Sequence, residues 1–401
     1  MLELLADTSE LATASLVRPS RPGEPSDPVL TWRERFQAQV CPAQPHLFKA
    51  LSFAQLQPDL DDLFPWDPQA APRFLEYRDA LWIRGSGALY DGRTGLALPG
   101  SYLTRFPRQR QTPTCTTFRV DLSHPLSALP RLERLVHLPF ALCSNFGHFI
   151  TETLGFLWPY LLAGSDAGRE DLTGWPVLLS SCQGTEPSEQ VLHALIRQRH
   201  GFPLLEAHLP ATLHLERVLV PEPSLRLHAS CTTTHIQAAG ALGDWLLEQS
   251  AAPQEPAVAG RRLFISRSAL EGEVRRVDQE PVLEALLAER GWTIFHPQQH
   301  SLAEQVAAYR SAQVISGFEG SALHGLALLG DAAGGPGLVL LGDNPSPDYF
   351  LQFRAQRLRG FFIQCTQVDP ADASAEWVRR RLLLGSPDTL ADLLDTLAEA
   401  F

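Results

Sequence analysis

The sequence predicts an α/β protein made of two domains, each built around a parallel sheet. Short apolar strands alternate with helical segments along most of the chain, which is the pattern of parallel sheets with crossover helices. The clearest unit, residues 261–330, is a strand, helix, strand, helix, strand, glycine turn and helix in succession. At 401 residues the chain is also too long for one ordinary core.

The composition of the chain limits the kinds of function that it can have. The net charge of −12 argues against a general nucleic-acid surface but leaves room for a local basic pocket that holds a phosphorylated ligand. Six scattered cysteines predict neither a disulfide framework nor a zinc site, so we expect no metal and no cofactor. The acidic N-terminus does not resemble a signal peptide, and the longest apolar run, Leu154–Ala163, is interrupted by Pro159. We expect a cytoplasmic protein, and leave peripheral membrane association and oligomer formation open.

The N-terminal part divides into two stretches. Residues 1–70 are rich in proline and predict an irregular arm. Residues 73–122 alternate short apolar runs with the turns Arg84–Ala88 and Tyr90–Gly95, which predicts a small antiparallel β-rich portion.

Residues 71–250 are predicted to form the first α/β domain. Its strands are expected at Leu135–Leu142, Val177–Ser180 and Arg217–Pro221, and its helices at His148–Leu162, Ser188–Arg199 and Thr233–Gln249.

Residues 251–401 are predicted to form the second α/β domain, after a proline-containing linker at Ala251–Gly260. Its strands are expected from Arg262, at Gly291–Phe295, at Val314-Ile315, at Leu338–Gly342 and at Phe361–Ile363, and a helix at Thr389–Ala400 closes the chain.

Two motifs make the second domain and the region before it similar to a known family. One runs from Phe264-Ile265-Ser266-Arg267 through Glu304-Gln305 to Gly317-Phe318-Glu319-Gly320-Ser321-Ala322-Leu323-His324. The other is Asn145-Phe146-Gly147-His148-Phe149, with Glu152 one turn later. Over roughly residues 135–345 the chain resembles the glycosyltransferase 61 family. Many members carry Gly-Pro-His-Gly-Ala where this chain has Gly317-Phe318-Glu319-Gly320-Ser321, a form that resembles bacterial members of the capsular or cell-surface polysaccharide type.

The resemblance implies a fold and an activity. The fold would be GT-B, with two Rossmann-like domains facing across a cleft. Residues 71–250 would then serve the acceptor, and residues 251–401 would bind the nucleotide sugar, with a UDP-sugar favoured. The activity would be an inverting transfer to a hydroxyl of a glycan or glycolipid in surface polysaccharide synthesis, without a required metal.

An inverting transfer needs one general base that reaches the acceptor hydroxyl. Glu152 is the leading candidate, and His148 lies four residues earlier on the same face of the expected helix. Either residue is a candidate base, and the sequence does not decide between them. Asn145 is expected to shape the acceptor side of the site.

The leaving diphosphate needs positive charge or N–H dipoles. Arg267 is the leading ligand, because it follows a strand at the carboxyl edge of the sheet and guanidinium binds phosphate oxygens in pairs. His324 would bind the diphosphate if charged, and a structural role in the core is an equally good interpretation. The remaining residues expected at the donor are Ser266, Gly317, Glu319, Gly320 and Ser321.

Two other functions stay open at this point. Another Rossmann-type enzyme, such as a dehydrogenase, would need a Gly-x-Gly-x-x-Gly turn after its first strand, which the sequence lacks. A non-catalytic scaffold of transferase ancestry in glycan assembly would bind nucleotide without turnover.

Overall fold

The computed structural model describes most of the chain and shows a mixed α/β structure. The residues described are 27–40, 48, 50–65, 67–102, 104–105, 112–113, 117–122, 125–139, 145–162, 171–179, 187–198, 201–250, 260–271, 275–343, 345–372 and 380–401.

The helices are α1 (Pro28–Val40), α2 (Phe53–Leu63), α3 (Phe146–His148), α4 (Trp158–Leu161), α5 (Pro187–Gln198), α6 (Thr233–Gln249), α7 (Glu280–Glu289), α8 (Leu302–Ser311), α9 (Ser321–His324), α10 (Pro347–Ala355) and α11 (Pro387–Ala398). The strands are β1 (Ala50–Ser52), β2 (Phe74–Ile83), β3 (Leu89–Asp91), β4 (Thr104–Arg105), β5 (Thr112–Pro113), β6 (Arg131–Leu138), β7 (Pro176–Leu179), β8 (Phe202–Leu205), β9 (Thr212–Pro221), β10 (Leu225–Arg226), β11 (Ser230–Cys231), β12 (Arg262–Ile265), β13 (Thr293–Phe295), β14 (Val314–Phe318), β15 (Gly337–Gly342), β16 (Gly360–Gln364), β17 (Thr366–Val368) and β18 (Leu382–Leu384).

The chain divides into two compact units. Unit 1 takes Gln69–Ala238, and unit 2 takes Pro28–Pro68 together with Ala239–Phe401. The sequence instead predicted domain boundaries near residues 71 and 251. In the structure the second boundary falls inside α6, and residues 251–259 of the expected linker lie outside the described residues.

Unit 1 contains a six-stranded sheet in the order β3-β2-β9-β6-β7-β8. Strands β9, β6, β7 and β8 are parallel to one another, while β2 pairs antiparallel with both β3 and β9. The expected antiparallel region is therefore present, but it extends the same sheet instead of forming a separate portion. Leucine and valine side chains from β6, β7 and β9 form much of the apolar core beside this sheet.

Unit 2 contains a six-stranded sheet in the order β1-β16-β15-β14-β12-β13. The five strands from β12 to β16 are parallel, and β1 adds antiparallel at the edge beside β16. If the parallel strands are counted along the chain, their spatial order is 2-1-3-4-5, as in doubly wound folds. Such sheets bind ligands at the carboxyl ends of the strands where the order reverses, here between β12 and β14.

The segment before unit 1 differs most from the sequence prediction. Residues 1–70 were expected to be an irregular arm, but α1, β1 and α2 lie within them and pack on unit 2. Trp32 and Phe36, four residues apart on α1, are fully buried against Phe350 and Phe362, with ring centroids 5.4 and 4.9 Å apart. Their partners lie more than 300 residues away, so local periodicity could not reveal them.

Two element boundaries near the candidate sites also differ. The strand expected at Leu135–Leu142 is observed at Arg131–Leu138, and residues 140–142 lie outside the described part of the chain. The single helix expected at His148–Leu162 is a succession of α3, a π turn at Phe149–Thr153, a 3₁₀ turn at Leu154–Phe156 and α4. A π turn inside a helix is a frequent companion of a functional site.

Candidate functional site

In unit 2 the reversal of strand order brings two predicted segments together. Ile265, the last residue of β12, pairs with Gly317 of β14, so the residues that follow both strands emerge side by side. Arg267 lies at this point, and its guanidinium Nη1 donates to the carbonyl oxygen of Glu319 across 2.6 Å. Its Nη2 donates to the carbonyl oxygen of Arg275. Arg267 thus joins three loop segments at the edge where ligands of doubly wound sheets bind.

The Arg267 side chain is largely removed from water and lies in an environment of low dielectric constant. Burial lowers the pKa of Arg267 from its ordinary value, while the neighbouring carboxyl group of Glu280 acts in the opposite direction. A guanidinium stays protonated in proteins, so Arg267 is a largely buried positive charge. Within the described part of the chain, carbonyl oxygens accept from two of its five N–H groups.

Glu280 begins α7 and supports the Arg267 backbone. Its Oε1 accepts the Arg267 N–H at 2.9 Å, and its side chain is almost fully buried. Burial raises the pKa of Glu280 to about 7. The sequence did not indicate a buried role for Glu280, because a glutamate at the start of a helix is normally exposed and interacts with the helix dipole.

Ser266 has a different position from the one expected. It is buried, and its hydroxyl donates to the carboxylate of Glu284 while it accepts the N–H of Ser268 at 3.1 Å. The hydroxyl proton is therefore engaged within the loop. This arrangement suits support of the Arg267 backbone better than direct contact with a ligand.

Arg275 forms a buried ion pair that the sequence did not reveal. Its Nη2 lies 2.8 Å from both carboxylate oxygens of Asp343, which follows β15, and 7% of its side chain is exposed. Two adjacent arginines in a loop are usually solvated, but the partner of Arg275 is 68 residues away and reaches the loop only through the sheet.

The glycines of the turn after β14 have separate roles. Gly317 was expected in the turn, but it lies inside β14, where a Cβ atom would come within 2.8 Å of the Ile265 carbonyl oxygen. Its lack of a side chain therefore serves strand packing. Gly320 precedes α9, and its N–H donates to the Tyr349 hydroxyl at 2.8 Å.

Ser321 and Glu319 also sit differently from the expectation. Ser321 is the exposed first residue of α9, so it does not cap the helix, and α9 spans only four residues before a 3₁₀ turn at Gly325–Leu329. So short a helix offers N–H groups but little macrodipole. The side chain of Glu319 packs against Gly342, where a Cβ atom would overlap its carboxyl group, while its backbone oxygen receives Arg267.

His324 ends α9 and is held by α10. Its ring stacks on the Tyr349 ring at 4.2 Å with an interplanar angle of 4°, and its Nδ1 lies 3.1 Å from Gln352 Oε1. The side-chain amide of Gln352 also donates to the His324 carbonyl oxygen at 3.2 Å. Tyr349 and Gln352 lie three residues apart on α10, and nothing in the sequence linked them to His324.

The loop after β13 is braced by Gln305. The buried side chain donates to the carbonyl oxygens of Pro297 and His300, at 2.9 and 3.1 Å. Gln305 therefore holds this loop in place. It places the stacked rings of Phe295 and His300, 4.4 Å apart, next to the loop that follows β12.

In unit 1 the structure brings His148 and Glu152 together. His148 Nδ1 lies 2.5 Å from Glu152 Oε2, across one turn of the irregular helix. Glu152 is buried with 5% of its side chain exposed, whereas 35% of the His148 side chain is exposed. The carboxylate is therefore placed to orient the imidazole, and part of the imidazole reaches the surface.

Asn145 organises the start of this segment. Its Oδ1 accepts the His148 N–H at 3.2 Å, and its backbone oxygen accepts the Phe149 N–H at 2.9 Å. Further along, both the backbone N–H and the hydroxyl of Ser224 donate to the Gly155 oxygen. These contacts fix the helix that carries His148 and Glu152.

Cys143 and Ser144, which precede Asn145 in the sequence, lie outside the described residues. Across the ranges described, no group of three or more metal-ligating side chains is arranged to hold an ion. The described helices include none that is both long enough and apolar enough to cross a membrane.

Comparison with known proteins identifies one family. The family model described as Glycosyltransferase 61 matches residues 146–334. A comparison with curated proteins finds no match. The matched residues include His148, Glu152, Arg267 and His324, and they end before α10. Residues 146–334 are therefore similar to the glycosyltransferase 61 family, and this similarity suggests a glycosyltransferase activity.

Proposed function

We propose that this protein is an inverting glycosyltransferase of the GT-B class. It transfers a sugar from a nucleotide-sugar donor, with a UDP-sugar favoured, to a hydroxyl group of a glycan or glycolipid in surface polysaccharide synthesis. The observation that carries the proposal is the position of Arg267. A largely buried arginine, with N–H groups beyond the two that bond to carbonyl oxygens, lies where the strand order of a 2-1-3-4-5 sheet reverses, within the region matched by the family model.

Arg267 would hold the diphosphate of the donor. Its charge and directed N–H groups stabilise the negative charge that grows on the leaving diphosphate as the anomeric C–O bond breaks. The N–H groups after Gly320 would add further donors, and Glu280, Ser266 and the Arg275–Asp343 pair would keep the guanidinium in place.

His148 would act as the general base and Glu152 as its positioning residue. When Nδ1–H donates to the Glu152 carboxylate, Nε2 carries the lone pair, as in other carboxylate–histidine pairs. Nε2 would take the proton of the acceptor hydroxyl as that oxygen attacks the anomeric carbon. One displacement with departure of the nucleoside diphosphate inverts the configuration. The half-exposed imidazole favours His148 over Glu152 as the base, and Asn145 would help to shape the acceptor side.

Thermal stabilisation by a panel of nucleotides tests the donor site. The panel contains UDP, GDP and CMP, their sugar conjugates, and NAD(P). A ligand that binds only the folded protein raises its Tm. We expect a shift with one nucleotide class that is lost in Arg267→Ala and reduced in Arg267→Lys, which keeps the charge but not the forked geometry. The control is Arg276→Ala, an exposed arginine of the same loop, which should keep the full shift.

Turnover of the nucleotide sugar that binds tests the base. We expect His148→Ala to lower kcat by about 10²- to 10⁴-fold while donor binding persists. Binding without turnover in the wild-type protein, over a range of glycan acceptors, would favour the scaffold function. A shift with NAD(P) alone would favour another Rossmann-type enzyme and contradict the proposal.

A further inference from the structure

Two stacked rings lie at the carboxyl end of β13. Phe295 is the last residue of this strand and is buried, whereas His300, in the loop that follows, is exposed. The ring centroids are 4.4 Å apart and the interplanar angle is 12°. Phe295 therefore covers one face of the imidazole, and the exposed part of the ring includes the opposite face. We call Phe295 and His300 together the ring platform.

Contacts from the loop and from α8 hold the ring platform in place. The Gln305 side-chain amide donates to the carbonyl oxygens of Pro297 and His300, at 2.9 and 3.1 Å. The His300 N–H donates to the Pro297 oxygen at 3.0 Å and closes the 3₁₀ turn before it. The Tyr309 ring meets Phe295 edge-on from α8, with centroids 6.1 Å apart. A surface held in this way loses little conformational freedom when a ligand covers it.

The ring platform lies beside the proposed diphosphate site. Ile265 and Phe295 are register partners in adjacent parallel strands, so their side chains leave the same face of the sheet. Beyond them the Ser266 N–H donates to the Phe295 oxygen at 2.8 Å, and Arg267 is the next residue. Neighbouring strands are about 4.8 Å apart. The loop of the ring platform therefore starts one strand spacing from the loop that carries Arg267.

The two neighbouring loops offer the two kinds of contact that a nucleotide needs. Arg267 supplies a positive charge and N–H groups, which suit phosphate oxygens. The ring platform supplies a flat aromatic surface, which suits a nucleobase because every base has a π face. Only one ribose separates the base of a nucleotide from its phosphates, so a ligand held by Arg267 can place its base over the adjacent loop.

We propose that the exposed face of His300 in the ring platform stacks against the nucleobase of the nucleotide-sugar donor while Arg267 holds the diphosphate. The proposal rests on the proposed function, because it assigns the base-binding part of the same donor site. Stacking uses the flat ring of His300 and needs neither a charge nor a hydrogen bond of the imidazole. Gln305 and Tyr309 keep the ring platform in position and do not touch the donor.

Two substitutions of His300 separate stacking from hydrogen bonding. His300→Phe keeps a flat ring without nitrogen atoms, whereas His300→Asn keeps a polar side chain without an aromatic ring. We expect His300→Asn to weaken the binding of UDP or GDP to the full-length protein by about 5- to 100-fold, the effect of one aromatic stacking partner. His300→Phe should bind these nucleotides about as well as the wild type. Isothermal titration calorimetry measures the affinities.

Inorganic pyrophosphate is the probe without a base. Its binding should be lost in Arg267→Ala and should be the same in the wild type, His300→Phe and His300→Asn. If His300→Asn weakens pyrophosphate binding as much as nucleotide binding, the contact is not with the base and the proposal is overturned. A loss of nucleotide binding in His300→Phe that equals the loss in His300→Asn also overturns it, because the ring nitrogens would then be responsible.

Nuclear Overhauser effects between His300 and the bound nucleotide test the contact directly. With ¹³C-labelled histidine, we expect contacts from the carbon-bound ring protons to the H6 proton of UDP or the H8 proton of GDP, with assignment by loss of the signals in His300→Asn. Their absence at saturating nucleotide overturns the proposal.

The same measurements distinguish the failure of this proposal from the failure of the proposed function. If nucleotide binding depends on Arg267 but not on His300, the diphosphate site stands and the ring platform is not a base site. If neither UDP, GDP nor pyrophosphate binds the wild-type protein, the donor site and the ring platform proposal fail together.

Discussion

The buried carboxyl group of Glu280 makes unit 2 less stable as pH rises. Burial raises its pKa to about 7 from an ordinary value of 4.5, so the folded protein holds this proton more tightly than the unfolded chain does. The stabilising effect is therefore complete below about pH 4.5 and is lost as pH rises through about 7. At 1.36 kcal/mol per pKa unit, the free energy at stake is about 3 kcal/mol.

Glu280→Gln should remove this dependence. A glutamine keeps an oxygen that accepts the Arg267 N–H but cannot ionise, so the variant should match the wild type near pH 4.5 and be the more stable of the two at pH 8. The expected difference of about 3 kcal/mol corresponds to a change of roughly 150-fold in the equilibrium constant for local opening of α7.

Hydrogen exchange of the α7 amides measures this difference locally. Peptides covering residues 280–289 should be protected more strongly in Glu280→Gln at pH 8, and comparison at each pH cancels the intrinsic pH dependence of exchange. The control is Glu289→Gln, which removes an exposed carboxyl group of the same helix and should leave the wild-type pH dependence in place. Parallel pH profiles for the wild type and Glu280→Gln would refute the reasoning.

Two further predictions concern unit 2. Asp343→Ala should lower the free energy of unfolding by about 3–5 kcal/mol, because it removes the carboxylate that pairs with the buried Arg275. Asp331→Ala, at an exposed pair with Arg357, should lower it by about 1 kcal/mol or less. Urea denaturation measures both. Ser301→Ala should cost about 1 kcal/mol, because it removes the hydroxyl that accepts the Glu304 N–H at the start of α8, while the bond from the Ser301 N–H to the Glu304 carboxylate can remain. Restoration by Ser301→Thr would show that the hydroxyl is responsible.

Strong local patterns in the sequence predicted much of the fold. The bounds of α6 coincide with those expected, and β7, α5, β15 and α11 lie within about two residues of the prediction. The contact between His148 and Glu152 follows from helical spacing alone. Arg267 meets the glycine turn because residues that follow adjacent parallel strands share one edge of the sheet.

The missed features depend on contacts that local patterns do not contain. Gly317 was assigned to a turn, because a glycine that allows two strands to approach looks the same in sequence as one that allows a turn. The pair of Arg275 with Asp343 requires the strand order of the sheet. The bonds from Tyr349 and Gln352 to α9 require knowledge that α10 packs on that segment, and the aromatic residues of α1 are hidden by the prolines around them.

Unit 2 is formed by two separate stretches of the chain, and this fixes the order in which the two units can fold during synthesis. Ala50 of β1 pairs with Ile363 of β16, so the first strand made must wait for more than 300 further residues before its partner leaves the ribosome. Unit 1 is continuous over Gln69–Ala238 and can fold during that interval. The apolar faces of α1 and α2 stay uncovered for the same time, which is when the nascent chain is most exposed to aggregation. A fragment that begins at Ala239 would lack this first segment altogether, and the edge of β16 and the ring of Phe350 would be left open to other chains.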